Sequence, residues 1–164
     1  MGEAFGSWQA FFGAQLGAGA TLLGLLFVGL SLNLPRILAY PSLPRRAEIA
    51  LVLILLQITV AALALIPDQP AAAFAGETLA AAGLVWLAAT ALNLRLIRDA
   101  APAGSSRARA NLLLLQATVL PYLAGAILLL AGRPGGLHLI AAGMILGIVK
   151  AALGSWVLLV EINR

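Results

Sequence analysis

Five long runs of apolar residues, separated by short clusters of proline, glycine and charge, dominate the chain: about 8–34, 48–66, 77–97, 111–131 and 137–160. A helix needs roughly 17–25 such residues to cross a hydrocarbon core of ~30 Å. In lipid, a helix satisfies all its backbone polar groups within one segment. The pattern therefore predicts an all-α integral membrane protein, a single transmembrane domain over residues 1–164 with five transmembrane helices. The breaks carry turn and interface residues: Pro35, Pro41 and Pro44 with Arg45 and Arg46; Pro67 to Pro70; Arg98 through Pro102 and Gly104; and Gly132 through Gly136. The first run would be about 40 Å long as a helix. It is expected to tilt or to begin as an interfacial turn, with Phe5, Trp8, Phe11 and Phe12 as an aromatic anchor and Trp156 near the opposite boundary.

Composition removes the alternatives. Hydrophobic residues make up 62% and charged residues 10%, with no cysteine, against about 45–50% and 25% in soluble domains. A soluble catalytic domain, a zinc module and a disulfide scaffold are excluded. The net charge of +4 does not indicate a nucleic-acid partner, because the arginines stand singly or in pairs between apolar runs without interleaved aromatics. They read as topology signals. With the N-terminus outside, eight of the nine arginines fall on the inner side and only Arg133 on the outer, so the positive-inside rule selects an N-out, C-in arrangement. The first residues carry Glu3 and no basic cluster, so the first span is expected to be retained rather than cleaved. The expected location is a plasma membrane, by composition a bacterial inner membrane, with the lipid bilayer as the first partner.

Two pieces of the sequence recur. Leu32-Asn33-Leu34 returns as Leu92-Asn93-Leu94 at an offset of 60, and the segment around Gln57 and Thr59 returns around Gln116 and Thr118 at an offset of 59. Paired Asn, Gln and Thr are less easily explained by leucine-rich composition than leucines are. The reading is a tandem repeat of a two-helix unit, residues 8–66 and 72–131, plus a final helix. Both copies point the same way across the membrane, as in parallel-repeat transporters. The asparagines also suit helix C-termini on capping grounds alone.

Lys150 is the most expensive residue in the chain. It lies about 20 Å into the last span, counted from Leu137 at ~1.5 Å per residue, and a lysine at a helix centre costs ~2.5–3.5 kcal/mol on insertion scales. Such residues usually face a bundle interior or a wet cavity; the competing outcome is a stem that snorkels to the headgroups. Gly143, Gly147, Lys150, Gly154 and Glu161 share one helix face, and a glycine stripe favours close helix contact. No acid in the other spans reaches the depth of Lys150, so its expected neighbours are neutral: Gln57, Gln116, Thr59, Thr118, Tyr122 beside Pro121, and Trp86. In the first span Gly13, Gly17 and Gly24 form a second small-residue face.

The chemistry points away from an enzyme. His138 is the single histidine, near a membrane boundary, and neither a metal-ligand cluster nor a nucleophile–base motif accompanies it. No cofactor and no metal are expected. The function that fits is a channel or transport subunit, assembled as a homo-oligomer, for a small polar or anionic solute, with Lys150 in the pathway. The competing class is a non-catalytic assembly protein that uses its glycine-rich faces to bind a membrane-protein partner.

Overall fold

The computed structural model describes residues 6–39, 42–99 and 102–162. They form six helices, α1 (Gln9–Leu32), α2 (Leu34–Ala39), α3 (Ser42–Ala64), α4 (Ala71–Asp99), α5 (Pro102–Leu130) and α6 (Gly136–Ile162), with no strand among them. All but the short α2 are long and apolar enough to cross a membrane. The chain is a polytopic membrane protein. Leu25, Leu84, Leu87, Leu113 and Ile127 are each more than half exposed around the outside of the bundle, a belt that hydrocarbon tolerates and water does not.

Helices start earlier than the apolar runs do. α3 begins six residues before Glu48, α4 six before Glu77 and α5 nine before Asn111. Hydropathy marks only the stretch that must sit in lipid, whereas helical hydrogen bonding continues into the headgroup layer. Pro102 opens α5, where its missing N–H is not needed. Its other proline, Pro121, lies within the helix.

The two ends of the bundle differ in chemistry. One end carries the starts of α1, α4 and α6, where Phe12 meets Phe74 edge-on with centroids 6.1 Å apart and Trp8 meets His138 at 4.8 Å. The other, basic, end carries Arg45, Arg46, Arg95, Arg98 and Arg109. Phe12 and Phe74 are fully buried. Phe12 therefore fills the interior at the aromatic end rather than anchoring to headgroups as expected. Phe5 and the Trp156 side chain lie outside the described residues.

Packing follows two hairpins. α1 lies on α3 and α4 lies on α5, while α6 closes the bundle against α5 and α3. α3 is the most buried span and α1 the least. The α5–α6 turn is a Schellman motif: the N–H of Arg133 donates to the carbonyl of Leu128 (2.9 Å) and that of Gly132 to Leu129 (2.9 Å), with Gly132 at φ 74°. Glycine is required there by conformation, and again just beyond by space. A Cβ on Gly125 would lie 2.6 Å from the Gly136 carbonyl oxygen, and one on Gly143 would lie 2.7 Å from the Tyr122 ring. These glycines let α6 approach α5 until backbone touches side chain.

Asn33 and Asn93, the repeated pair, make the same local bond. Each donates its side-chain amide to the carbonyl four residues earlier, Gly29 at 2.9 Å and Ala89 at 3.0 Å.

Candidate functional site

A cavity of about 630 Å³ opens among α3, α4, α5 and α6 in the basic half of the bundle. This falls within the ~300–1,000 Å³ of small-molecule sites. On α3 it runs from Arg46 to Leu53, on α5 from Ala110 to Thr118, and on α6 from Leu146 to Gly154, with Asn93 contributed by α4. At ~1.5 Å per residue the α6 wall is about 12 Å high. Arg46 and Gly154 stand toward the basic end; Leu53, Thr118 and Leu146 stand at the deep end.

Lys150 projects into the middle of this wall, half-buried. Its neighbours one turn away on the same face are Gly147 and Gly154, which leave room for the stem. Nothing lies within 4 Å of a Cβ placed on Gly154. Among the described residues, no carboxylate lines the cavity, so nothing there supplies a counter-charge to the ammonium. The polar groups that do line it are Arg46, Asn93, Asn111 and Thr118. An ammonium without a lining acid among the described residues makes the chamber electropositive around Lys150, and a low-dielectric wall strengthens that field.

The floor below Lys150 is polar and packed. Around Gly147, the Gln57 Oε1, the Thr118 methyl and the Tyr122 hydroxyl come within 3.7–3.9 Å of where a Cβ would stand. Gln57, Thr118 and Tyr122 are all buried. Lys150 is three residues, about 4.5 Å, nearer the basic end. The Thr118 hydroxyl donates to the Leu114 carbonyl at 2.8 Å. Pro121 has no N–H to offer the carbonyl of Ala117, another lining residue.

The sequence places seven residues in one polar layer; the structure distributes them. Lys150 and Thr118 line the cavity, and Gln57 and Tyr122 lie beneath it. Gln116 and Trp86 belong to a separate pair between α4 and α5: the indole N–H of Trp86 donates to Gln116 Oε1, and Gln116 Nε2 donates to Thr90 Oγ1 at 3.2 Å. Thr59 is exposed on the outside of α3. Gln57 instead donates to the backbone oxygen and Oε1 of Gln15, at 3.1 and 3.0 Å. Each repeated glutamine ties its own hairpin together.

The expected packing glycines also divide. Gly143 and Gly147 pack inward, while Gly154 opens onto the cavity. A Cβ on Gly13, Gly17 or Gly24 would meet nothing within 4 Å, because α1 meets α3 through Phe12, Gly19 and Leu26, about 140° around the helix at 3.6 residues per turn. Gly19 is the contact glycine, with the Ile58 side chain 2.8 Å from a would-be Cβ.

Arg46, Asn93 and Asn111 were not among the candidates read from the sequence. Arg46 reads as an interface charge and Asn93 as a cap, and only the convergence of four helices brings them to Lys150. Among the described residues no three His, Asp or Glu side chains gather to hold a metal. Comparison with known proteins finds no matching family model, no matching characterised protein and no matching solved structure.

Proposed function

We propose that this chain is a transport or channel subunit that takes up a small polar or anionic solute at Lys150. The observation that carries the reading is the 630 Å³ cavity in which Lys150 stands with no lining carboxylate among the described residues. A buried ammonium is costly, and an anion drawn from the basic end would offset that cost. By the positive-inside rule that end faces the cytoplasm, giving N-out and C-in. The aromatic end, packed by Phe12, Phe74, Trp8 and His138, closes the opposite side, so the arrangement corresponds to an inward-facing binding state rather than a continuous pore. Release on the other side then requires those aromatic contacts to part, or a second copy to complete the path.

A second reading rests on a different observation. Gly13, Gly17 and Gly24 are exposed together on α1, and a Cβ on any of them would meet nothing within 4 Å, as on a face used for assembly in the membrane. On this reading the chain is a non-transporting assembly protein, and the face serves a homo-oligomer or a membrane-protein partner. Flux of small anions in proteoliposomes decides between them, measured for wild type, Lys150→Leu and Lys150→Arg with oligomeric state recorded on the same samples. Transport requires that wild type and arginine variant conduct while the leucine variant, still assembled, does not. Absence of wild-type flux together with altered assembly in the leucine variant supports the second reading.

A further inference from the structure

The cavity wall is far more apolar than a site for a small hydrated ion requires. Around Lys150, Leu114 on α5 and Leu146, Val149 and Leu153 on α6 line the cavity and are themselves 42–58% exposed. Residues that both line a cavity and remain open mark a side through which it communicates with the surrounding hydrocarbon. Among the described lining residues the charge is confined to Lys150 and Arg46; Asn93 and Asn111 add polar groups toward the basic end, and at the deep end the Thr118 hydroxyl already donates to the Leu114 carbonyl. Lys150 and the polar groups toward the basic end, together with an apolar flank of Leu114, Leu146, Val149 and Leu153, form an amphipathic receptacle about 12 Å tall above the floor of Gln57, Thr118 and Tyr122.

We infer that the ligand of the Lys150 cavity is an anionic amphiphile, a carboxylate or phosphate head on an acyl chain, whose head lies at Lys150 and whose chain lies along Leu114, Leu146 and Val149. This rests on the anion-binding reading above and specifies its substrate class. The head supplies to Lys150 the counter-charge that no described lining side chain provides, and the asparagines supply neutral hydrogen-bonding groups beside it. The chain covers apolar surface that water fills poorly and reaches it laterally from the bilayer. A bare inorganic anion would leave that surface uncovered.

Purified protein in a neutral maltoside detergent is titrated with radiolabelled oleate, with oleyl alcohol, acetate, inorganic phosphate, phosphatidylglycerol and phosphatidylcholine as competitors. The expected result is saturable oleate binding that is at least tenfold weaker in Lys150→Leu and in the cavity-filling Ala117→Trp, and retained in Lys150→Arg, with all variants eluting as wild type does. Oleyl alcohol, acetate and phosphatidylcholine should compete at least tenfold less well than unlabelled oleate. Competition by phosphatidylglycerol at the potency of oleate supports the proposal with a phospholipid as the source; its failure to compete supports the proposal with a fatty acid as the source. Equal competition by oleyl alcohol, or oleate binding unchanged in Lys150→Leu, overturns it. Lys150-dependent binding of phosphate or acetate without oleate binding overturns the amphiphile and leaves the small-anion reading standing, whereas no Lys150-dependent binding of any probe overturns both.

Discussion

The amide of Gln57 on α3 donates both to the backbone oxygen and to the side-chain oxygen of Gln15 on α1, joining two membrane helices at mid-depth through one side chain. Interhelical hydrogen bonds in membranes average only ~0.6 kcal/mol in double-mutant cycles, so the pair is expected to contribute about 1 kcal/mol by that scale. Equilibrium unfolding of Gln57→Leu, Gln15→Leu and the double variant should show a coupling of about 0.6 kcal/mol, since Gln15→Leu removes the side-chain acceptor and keeps the backbone one. Additive losses would place the stability of the α1–α3 contact in apolar packing instead.

Glycine substitutions should sort by what a Cβ would meet. Gly143→Ala drives a methyl group into the Tyr122 ring and toward the Thr118 carbonyl and is expected to destabilise by about 1–3 kcal/mol, the range for overpacked interiors. Gly17→Ala, with nothing nearby, should leave the monomer at least as stable, by up to about 1 kcal/mol from helix propensity. Thermal unfolding in one detergent compares the two directly. If Gly17→Ala lowers oligomer size without destabilising the monomer, the exposed α1 face is an assembly surface.

At the aromatic end, Phe12 is fully buried against Phe74 and Trp8. Phe12→Ala should lower stability by about 3–5 kcal/mol, as large aromatic truncations in cores do. A loss under 1 kcal/mol would show that Phe12 faces lipid, as an interfacial anchor would.

Lys150→Leu should raise stability while removing function. Leucine inserts without the ~2.5–3.5 kcal/mol penalty of a mid-membrane lysine, so unfolding is expected to become harder by up to roughly that amount. Stability set against activity at one residue is the signature of a functional site. A leucine variant less stable than wild type would instead assign Lys150 a structural bond.

The membrane class and the number of spans were legible in the hydropathy pattern because lipid imposes a length and a composition on any helix that crosses it. Helix starts were not: Ser42 and Pro102 lie in polar stretches where hydrogen bonding continues without apolar residues, and the Ala-rich start of α4 at Ala71 lies ahead of Glu77, the first residue of the span that hydropathy predicts. Lys150 was legible from its insertion cost alone. Its companions were harder: Gln116 repeats Gln57 in sequence, yet their partners, Trp86 and Thr90 for one and Gln15 for the other, are set by which face each helix turns to its neighbour. Arg46, Asn93 and Asn111 come to the cavity from three different helices, and spacing within one helix carries no information about such convergence. The same holds for α1, where the glycine-rich side seemed the natural contact and the face holding Gly19 is used.

The chain contains no cysteine, so one introduced thiol reports on the cavity without background. The most direct measurement is the rate at which Ala117→Cys, on the cavity wall, reacts with membrane-impermeant anionic and cationic thiosulfonates applied from either side of sealed vesicles. An anion-accepting chamber open at its basic end requires reaction from that side only, faster with the anionic reagent, and loss of this preference when Lys150→Leu is added. A thiol that reacts from neither side, or an anionic preference unchanged by removal of Lys150, would contradict it.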